Sequence, residues 1–243
     1  MHYKPPRDAP EFYYSEKELA KAKAFDPKDE SLLILWEESD PKLQALSNTA
    51  CLPIYLFDKK VANAEIVYHA LKFSNNPDLQ ETILASDFVN DVRVLAEQQI
   101  SHVRPDWETI KIDVMRWVLR AKFSHNIKEM RGGLLFTRNK ELVVRSLTDD
   151  YWGAILMHSE KDVLVGKNIL GYLLKELLHE YLFFGNVKFA RSAVIPSTLH
   201  LWLLKERISF VSTEHRRAYV RHQNKLKKNQ PKVRARVRDT QVK

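Results

Sequence analysis

Asp149-Asp150-Tyr151-Trp152-Gly153 is followed, after a short interval, by Gly166-Lys167-Asn168-Ile169-Leu170-Gly171-Tyr172-Leu173-Leu174. These two stretches place acidic, aromatic, cationic and amide side chains directly before a strongly apolar helix. The free N–H groups at such a helix start accept anions, with Asn168 as N-cap, and Trp152 can stack on a heterocycle. The alternative is ordinary packing, with a buried tryptophan and an N-capping aspartate. The pattern therefore indicates a candidate polar ligand site.

The segment NAEIVYHALKF, residues 63–73, has helical spacing and brings three titratable side chains to one face. Glu65, His69 and Lys72 follow one another at i, i+4 and i+7, while the apolar residues face the core. A carboxylate beside two basic groups is a candidate catalytic arrangement. The alternative is a solvent-facing pair that stabilises the helix by only about 0.2–0.5 kcal/mol.

A second helical segment, RPDWETIKIDVMRWVLRAKFSHN, covers residues 104–126. Pro105 marks its start, and most of its residues are typical of an amphipathic core helix with solvated lysines and arginines. Arg104 is the exception, because an arginine at a helix entrance is well placed for bidentate contact with phosphate.

Helical spacing dominates the chain beyond residue 62. Only two short apolar runs, residues 31–36 and 52–57, have the pattern of strands. The predicted helices cover residues 63–73, 77–85, 87–99, 107–122, 127–136 and 168–184. The sequence therefore predicts a mainly α domain with a small β element near its start.

Positive charge is concentrated at the carboxyl end, where residues 215–243 hold eleven lysines and arginines against one aspartate. This basic end, together with the polar, proline-containing start of the chain, divides the sequence into four predicted regions. They are a polar leader over 1–30, a catalytic domain over 31–186, a helical extension over 187–214 and a basic, disordered tail over 215–243.

Several classes of protein lack their minimum signature in this sequence. No segment approaches the roughly 18–20 apolar residues of a membrane span, and the start lacks the apolar core of a signal peptide. The single cysteine, Cys51, cannot form an internal disulfide. His179-Glu180 begins like a zinc motif, but position 183 is phenylalanine. We therefore expect a cytoplasmic protein without membrane association, metal or cofactor.

The order of these motifs resembles the YbiA-like, or NADAR, N-glycosidase superfamily, over about residues 36–180. Each motif is weak singly, but five in the same order are hard to explain by chance. The matching residues are Ser47-Asn48, Glu65 with Lys72-Phe73, Arg104 and Trp107 with Arg120-Ala121-Lys122-Phe123, Asp149 with Trp152-Gly153, and Gly166, Asn168, Leu170 and Gly171.

The resemblance implies hydrolysis of an N-glycosidic bond to a phosphorylated ribose. Family members act on early riboflavin-pathway intermediates or on ADP-ribose attached to guanine. Cleavage of a ribose C–N bond develops cationic character at the anomeric carbon, which a carboxylate stabilises. Glu65 is assigned that role, and Lys72 is an alternative nucleophile that could form a Schiff base. Asp149 would position ribose or water.

The remaining matched residues are expected to bind substrate. Trp152 would pack against sugar or base, and phosphate would be held at the start of the apolar helix and at the upstream arginine. The expected substrate-binding set is Ser47, Asn48, Arg104, Trp107, Trp152, Gly153, Lys167 and Asn168.

This chain departs from the family pattern around the expected pocket. Val61-Ala62-Asn63 replaces Trp-Pro-Thr before Glu65, and Ala96-Glu97 replaces a Gly-Arg pair. An apolar insert, residues 154–165, replaces a glycine-rich link. Substrate choice is therefore the property we expect to differ most from relatives.

The basic tail is expected to bind polyanions through counterion release. The alternative is a disordered solubilising tail. Delivery to nucleic acid would favour ADP-ribosylated guanine as the substrate, over a free riboflavin intermediate or a catalytically inactive ADP-ribose-binding protein. The expected nucleic-acid contacts are Arg216, Arg217, Arg221, Lys225, Lys227, Lys228, Arg234, Arg236 and Arg238.

Overall fold

The computed structural model of the protein describes residues 14–36, 38–158, 161–183, 192–195 and 199–229. Its central feature is a five-stranded mixed sheet, packed on one side by helices. The prediction of a mainly α domain with a small β element near its start is therefore wrong, and the fold is mixed α/β.

The helices follow the predicted segments closely between residues 63 and 183, which confirms those predictions. A short 3₁₀ turn, Ile100–His102, follows the fifth helix. The α-helices are α1 Glu16–Leu19, α2 Pro41–Gln44, α3 Ala64–Leu71, α4 Pro77–Leu84, α5 Val89–Gln98, α6 Trp107–His125, α7 Ile127–Phe136, α8 Ile169–Phe183 and α9 Thr213–Asn229.

The strands are short, and most of them lie where the sequence predicted none. The two predicted strands, over 31–36 and 52–57, are present as β2 and β3. The strands are β1 Lys23–Phe25, β2 Leu32–Leu35, β3 Ile54–Leu56, β4 Lys59–Val61, β5 Glu141–Ser146, β6 Ala154–Met157, β7 Val163–Gly166, β8 Ser192–Val194, β9 Leu201–Leu203, β10 Glu206–Ile208 and β11 Phe210–Ser212.

The main sheet has the strand order β1-β7-β6-β5-β2. β5 pairs in parallel with both β2 and β6, and β7 pairs antiparallel with β6 and β1. The apolar insert at 154–165 therefore supplies a central hairpin of this sheet. β1 lies within the predicted leader, so the region over 1–30 contributes an edge strand to the domain.

The core lies between this sheet and a layer formed by α3, α6 and α8. α8 packs on β5 and α6, and α6 packs on α3. Trp117 and Phe123 of α6 are almost completely buried there. This packing holds the carboxyl-terminal end of α3 against the start of α6, where the Arg104 N–H donates to the Lys72 carbonyl and the Tyr68 ring meets that of Trp107.

Two buried ion pairs join α6 to α8. Arg116 Nε donates to Glu176 at 2.7 Å, and Arg120 Nε donates to Glu180 at 2.9 Å. The backbone N–H of Tyr14 also donates to Glu176, at 3.1 Å. Buried charges with such partners fix the register of two helices more than they stabilise the fold.

The two carboxyl-terminal regions differ from their predicted structure. Where a helical extension was predicted over 187–214, the described residues form β8 to β11 instead. The first part of the predicted disordered tail is helix α9, which packs on β3. Arg234, Arg236 and Arg238 lie outside the described residues. Among the helices that the structure describes, none is long and apolar enough to cross a membrane.

Candidate functional site

Glu65 lies in the first turn of α3, whose N-cap is Asn63. The Asn63 side chain accepts a hydrogen bond from the Ile66 N–H at 3.1 Å, which fixes the start of the helix. Glu65 Oε1 accepts from Arg93 Nε at 2.8 Å and lies 2.7 Å from Arg93 NH2. His69 Nε2 lies 3.7 Å from the same oxygen. The carboxylate is thus held between α3 and α5.

The electrostatics of α3 distinguish its three titratable groups. Burial alone would raise the pKa of Glu65, but contacts with His69 and Arg93 outweigh burial and lower that pKa. Burial also lowers the pKa of His69 and of Lys72, against the opposing charge of Glu65. Glu65 is therefore a carboxylate at neutral pH, while Lys72 gives up its proton more readily than an exposed lysine.

Four aromatic side chains form a continuous wall beside Glu65. Tyr68 is their centre: its ring centroid lies 5.0 Å from that of Trp107 and 5.5 Å from that of Trp152. Trp152 in turn meets Tyr151 edge to face at 5.2 Å. Tyr68 and Trp107 are buried, whereas Tyr151 and Trp152 are partly exposed and can offer ring surface to a planar base or to the apolar face of a sugar. The structure thus places Trp107 and Trp152 on either side of Tyr68, and their contact with substrate stays a prediction.

Three lysines lie over the rings of this aromatic wall. Lys72 Nζ is 5.6 Å from the Tyr68 ring centroid. Lys111 and Lys167 both lie over Tyr151, at 4.1 and 5.1 Å. Cations over ring faces are held by the quadrupole of the rings and still offer N–H donors to a ligand. The wall is therefore cationic as well as aromatic, which suits a phosphorylated ligand.

Asp149 shapes the turn that carries Trp152. Its Oδ1 accepts from the N–H groups of Tyr151 at 2.9 Å and Trp152 at 2.8 Å. Gly153 ends this turn, and a Cβ at Gly153 would lie 2.5 Å from the Val144 carbonyl oxygen. Both residues have a clear structural role here. The catalytic role of Asp149 toward ribose or water stays a prediction.

Asn168 is completely buried and joins α8 to β5. Its Oδ1 accepts from the Val144 N–H and its Nδ2 donates to the Leu142 carbonyl, both at 2.9 Å. Its φ of 52° lies in the left-handed region, which asparagine tolerates better than most residues. The side chain is thus committed to the fold, so substrate contact at this position would fall to backbone groups or to Lys167.

The Ser47-Asn48 pair lies beside the start of α3, where the Asn48 carbonyl accepts from the Glu65 N–H at 3.2 Å. Lys122, fully buried on α6, donates to the carbonyls of Ala45 at 2.8 Å and Ser47 at 2.5 Å. Asn48 Oδ1 is buried without a hydrogen-bond partner among the described residues. A buried acceptor without a partner is uncommon in folded proteins, and this one belongs to the residue whose carbonyl accepts from Glu65.

Arg104 stands at the entrance of α6 as predicted, but its guanidinium is engaged within the protein. It forms a two-point contact with Asp106, at 2.6 and 2.9 Å, and donates to the His200 carbonyl at 3.0 Å. Its backbone N–H donates to the Lys72 carbonyl at 2.8 Å. Arg104 thus links the end of α3, the start of α6 and the residue before β9. Its contact with phosphate stays a prediction.

The first part of the basic tail docks far from Glu65. On α9, the Tyr219 ring lies 5.2 Å from that of Tyr55, and Arg216 donates to the His125 carbonyl at 2.6 Å. His125 ends α6, whereas Lys111 of the aromatic wall lies one turn after its start. At 1.5 Å per residue the two positions are about 21 Å apart. Arg217, Arg221 and Lys225 are exposed along α9.

Sequence reasoning missed two groups that the structure places in the site. Arg93 lies 28 residues from Glu65 on another helix, so no local spacing indicated their contact. Tyr68 and Tyr151 were not included in the expected substrate-binding set, although Tyr68 is one turn from Glu65 and Tyr151 is next to Trp152. Within the part of the chain that the structure describes, no three His, Cys, Asp or Glu side chains are arranged to hold a metal ion.

A mixed α/β domain with a carboxylate beside a cationic aromatic wall defines a class of small-ligand-binding proteins, and the comparisons narrow that class. The sequence profile of the NADAR domain matches residues 19–181, and the chain belongs to this family. The family expected from the motifs is thereby confirmed. Its boundary at 19 includes β1, which the predicted domain over 31–186 left out.

Three relatives illustrate the similarity. The chain is 35% identical to the N-glycosidase YbiA of Escherichia coli over 131 residues, 54% of this chain and 77% of that protein. It is 31% identical to a riboflavin biosynthesis protein of Vibrio vulnificus, over 56% of this chain and 35% of that protein. The NMR structure of YbiA from E. coli superposes with a TM-score of 0.53 and 33% identity, covering 63% of this chain and 85% of YbiA.

Proposed function

We propose that this protein is a hydrolase of N-glycosyl bonds that cleaves the C–N bond between a phosphorylated ribose, or ADP-ribose, and a base or amine. The observation that carries the proposal is the ionised Glu65 carboxylate beside an aromatic wall bearing Lys72, Lys111 and Lys167. The names of its relatives as N-glycosidases support the same reaction class.

The reaction requires little beyond what these residues offer. As the C–N bond lengthens, the anomeric carbon becomes cationic and the base departs with the bonding electrons. Glu65 stabilises that cation electrostatically and accepts a proton from the attacking water, while the departing nitrogen takes up a proton. The aromatic wall holds the base and excludes bulk water, and the lysines hold phosphate.

Lys72 supports an alternative first step. Its lowered pKa makes its amine more available to attack the anomeric carbon of the ring-opened sugar. The base then departs with the electrons of the C–N bond and takes up the proton lost by the amine, and water hydrolyses the remaining imine to free the sugar and Lys72. Reduction with borohydride during turnover separates the two routes. An imine route leaves a sugar covalently attached to Lys72, whereas the Glu65 route leaves the protein mass unchanged.

Two substrate groups fit this site, each on its own observation. Riboflavin-pathway intermediates are favoured by the similarity to the Vibrio protein named for riboflavin biosynthesis. ADP-ribosylated guanine in DNA or RNA is favoured by the exposed cations of α9, here Arg217, Arg221 and Lys225. Because α9 docks about 21 Å from the wall, a strand held on both must span about six nucleotides at B-form spacing.

The test is a two-substrate assay with purified full-length protein. One reaction contains a guanine-ADP-ribosylated oligonucleotide and the other the free riboflavin precursor, and released ADP-ribose or ribose 5-phosphate is measured. Glu65→Gln should lose at least about a hundredfold in kcat, because it removes the charge that stabilises the transition state. Arg131→Met, an exposed helical substitution, is the matched control. No product from either substrate with folded protein would refute the proposal.

A further inference from the structure

Arg93 contacts Glu65 but belongs to none of the family motifs and has no role in the proposed reaction. It projects from α5 and places both Nε and NH2 on a single oxygen of Glu65, at 2.8 and 2.7 Å. An arginine fork usually bonds both oxygens of a carboxylate. Concentrating both donors on Oε1 leaves Glu65 Oε2 without a recorded contact among the described residues.

Arg93 is the more exposed partner in its contact with Glu65. The Arg93 side chain is 47% exposed, whereas that of Glu65 is 16% exposed. In the observed contact, moreover, the positive charge of Arg93 offsets the negative charge that the reaction needs at Glu65.

The helix that carries Arg93 is attached to the domain by a small interface. α5 packs mainly against α3, and only Val92 and Ala96 among its ten residues are buried. Arg93 lies between these two on the sequence, at the edge of that interface. A long, half-exposed side chain on such a helix can exchange partners by changing its rotamers, at little cost in packing.

We propose that Arg93 is the ligand for the phosphate of the substrate and that binding this phosphate transfers Arg93 from Glu65 to the substrate. The inference rests on the proposed function for the identity of the substrate, but not for the anion contact. The guanidinium fork matches phosphate better than one carboxylate oxygen, because phosphate offers it two acceptor oxygens. The exchange returns the full carboxylate charge to Glu65 once an anionic substrate has arrived. A neutral nucleoside offers no anion to Arg93, which would stay bound to Glu65. The exchange therefore favours phosphorylated substrates over neutral ones.

The first test measures binding without turnover. Ribose 5-phosphate, inorganic phosphate and unphosphorylated ribose are titrated into wild-type protein, Arg93→Met, Arg93→Lys and the control Arg131→Met. We expect Arg93→Met to weaken binding of ribose 5-phosphate about ten- to a hundredfold, with Arg93→Lys intermediate and the control unchanged. Equal affinity of wild type and Arg93→Met, or no binding of either phosphate to wild type, overturns the proposal.

The second test reports on Glu65 itself, through the ¹³C shift of its carboxylate. Saturation with ribose 5-phosphate should raise the pKa of Glu65 in wild type, because Arg93 leaves it. In Arg93→Met this pKa should already be raised and should not respond. A wild-type pKa that is unaffected by saturating ribose 5-phosphate contradicts the exchange.

Steady-state kinetics separate this inference from the proposed function. If the protein hydrolyses N-glycosides, Arg93→Met should raise KM for a phosphorylated substrate about ten- to a hundredfold, yet leave the unphosphorylated analogue equal or better. Equal losses on both substrates overturn the inference while the hydrolase stands. If no N-glycoside is cleaved but phosphate binding depends on Arg93, the proposed function fails and the anion site stands.

Discussion

Lys122 offers a quantitative test of how burial controls this fold. Its side chain is fully buried, and burial lowers its pKa to about 7 from the ordinary 10.5. Between these values the unfolded chain binds more protons than the folded one. Stability must therefore rise with pH between about 7 and 10.5, and the loss on acidification must level off below about pH 7.

The size of the effect follows from the two pKa values. For one group with these constants, the free energy of unfolding should increase by about 2 kcal/mol between pH 6.5 and pH 8.5 at 25 °C. The two carbonyls that accept from Lys122 favour its charged form. They reduce this magnitude but do not change its sign.

The assay is urea unfolding of wild type, Lys122→Met and Lys128→Met at several pH values. Methionine has similar length without the titrating amine, so Lys122→Met should lose this pH dependence, and its difference from wild type should change by about 2 kcal/mol. Lys128 is exposed on α7, and its substitution should follow wild type. A difference between wild type and Lys122→Met that is constant from pH 6.5 to 8.5 would refute the reasoning.

Two further substitutions test the framework around the site. Asn168→Leu removes the hydrogen bonds to Val144 and Leu142 and places leucine at a positive φ, so the free energy of unfolding in urea should fall by about 2–4 kcal/mol. Asn168→Gly tolerates that φ and should lose less. A leucine variant as stable as wild type would be inconsistent with this account. Arg120→Met removes the guanidinium that neutralises the buried carboxylate of Glu180 and should cost about 3–5 kcal/mol. Most of that loss should be recovered in Arg120→Met/Glu180→Leu, and additive losses in the double variant would contradict this account.

The helices of the domain could be predicted from sequence because each carries a long amphipathic repeat. The 19 residues of α6 are enough for a 3.6-residue period to stand out. The strands could not be predicted in the same way. β1 has only three residues, KAF, which is too short for a period of two to be recognised.

The region after residue 196 shows why composition alone was misleading. Its apolar residues were interpreted as a helix, but Leu201 and Leu203 are buried while Trp202 between them is 43% exposed, the alternation of a strand. The hairpin to β10 turns at Leu204 and Lys205, both with positive φ. Such turns usually contain glycine or asparagine. Neither is present, so the sequence carries no signal for this turn.

The candidate site divides in a similar way. The family order of the motifs placed Glu65, Lys72, Trp107 and Trp152 in one pocket, and the structure brings these four together. No spacing within a helix could have indicated Arg93, because α5 meets α3 only through tertiary packing. Side chains that act across two elements are therefore the part of the site that needed the structure.

The exchange proposed for Arg93 also bears on whether Glu65 or Lys72 performs the reaction. Burial lowers the pKa of Lys72, while the charge of Glu65 raises it. If Arg93 moves from Glu65 to the substrate phosphate, the charge of Glu65 is no longer offset, and its effect on Lys72 becomes stronger. The pKa of Lys72 then rises, so less of Lys72 is the free amine that can attack a carbonyl carbon and more of it is the ammonium ion that can bind an anion. On this argument the arrival of an anionic substrate favours Glu65 as the catalytic group and Lys72 as part of the binding wall.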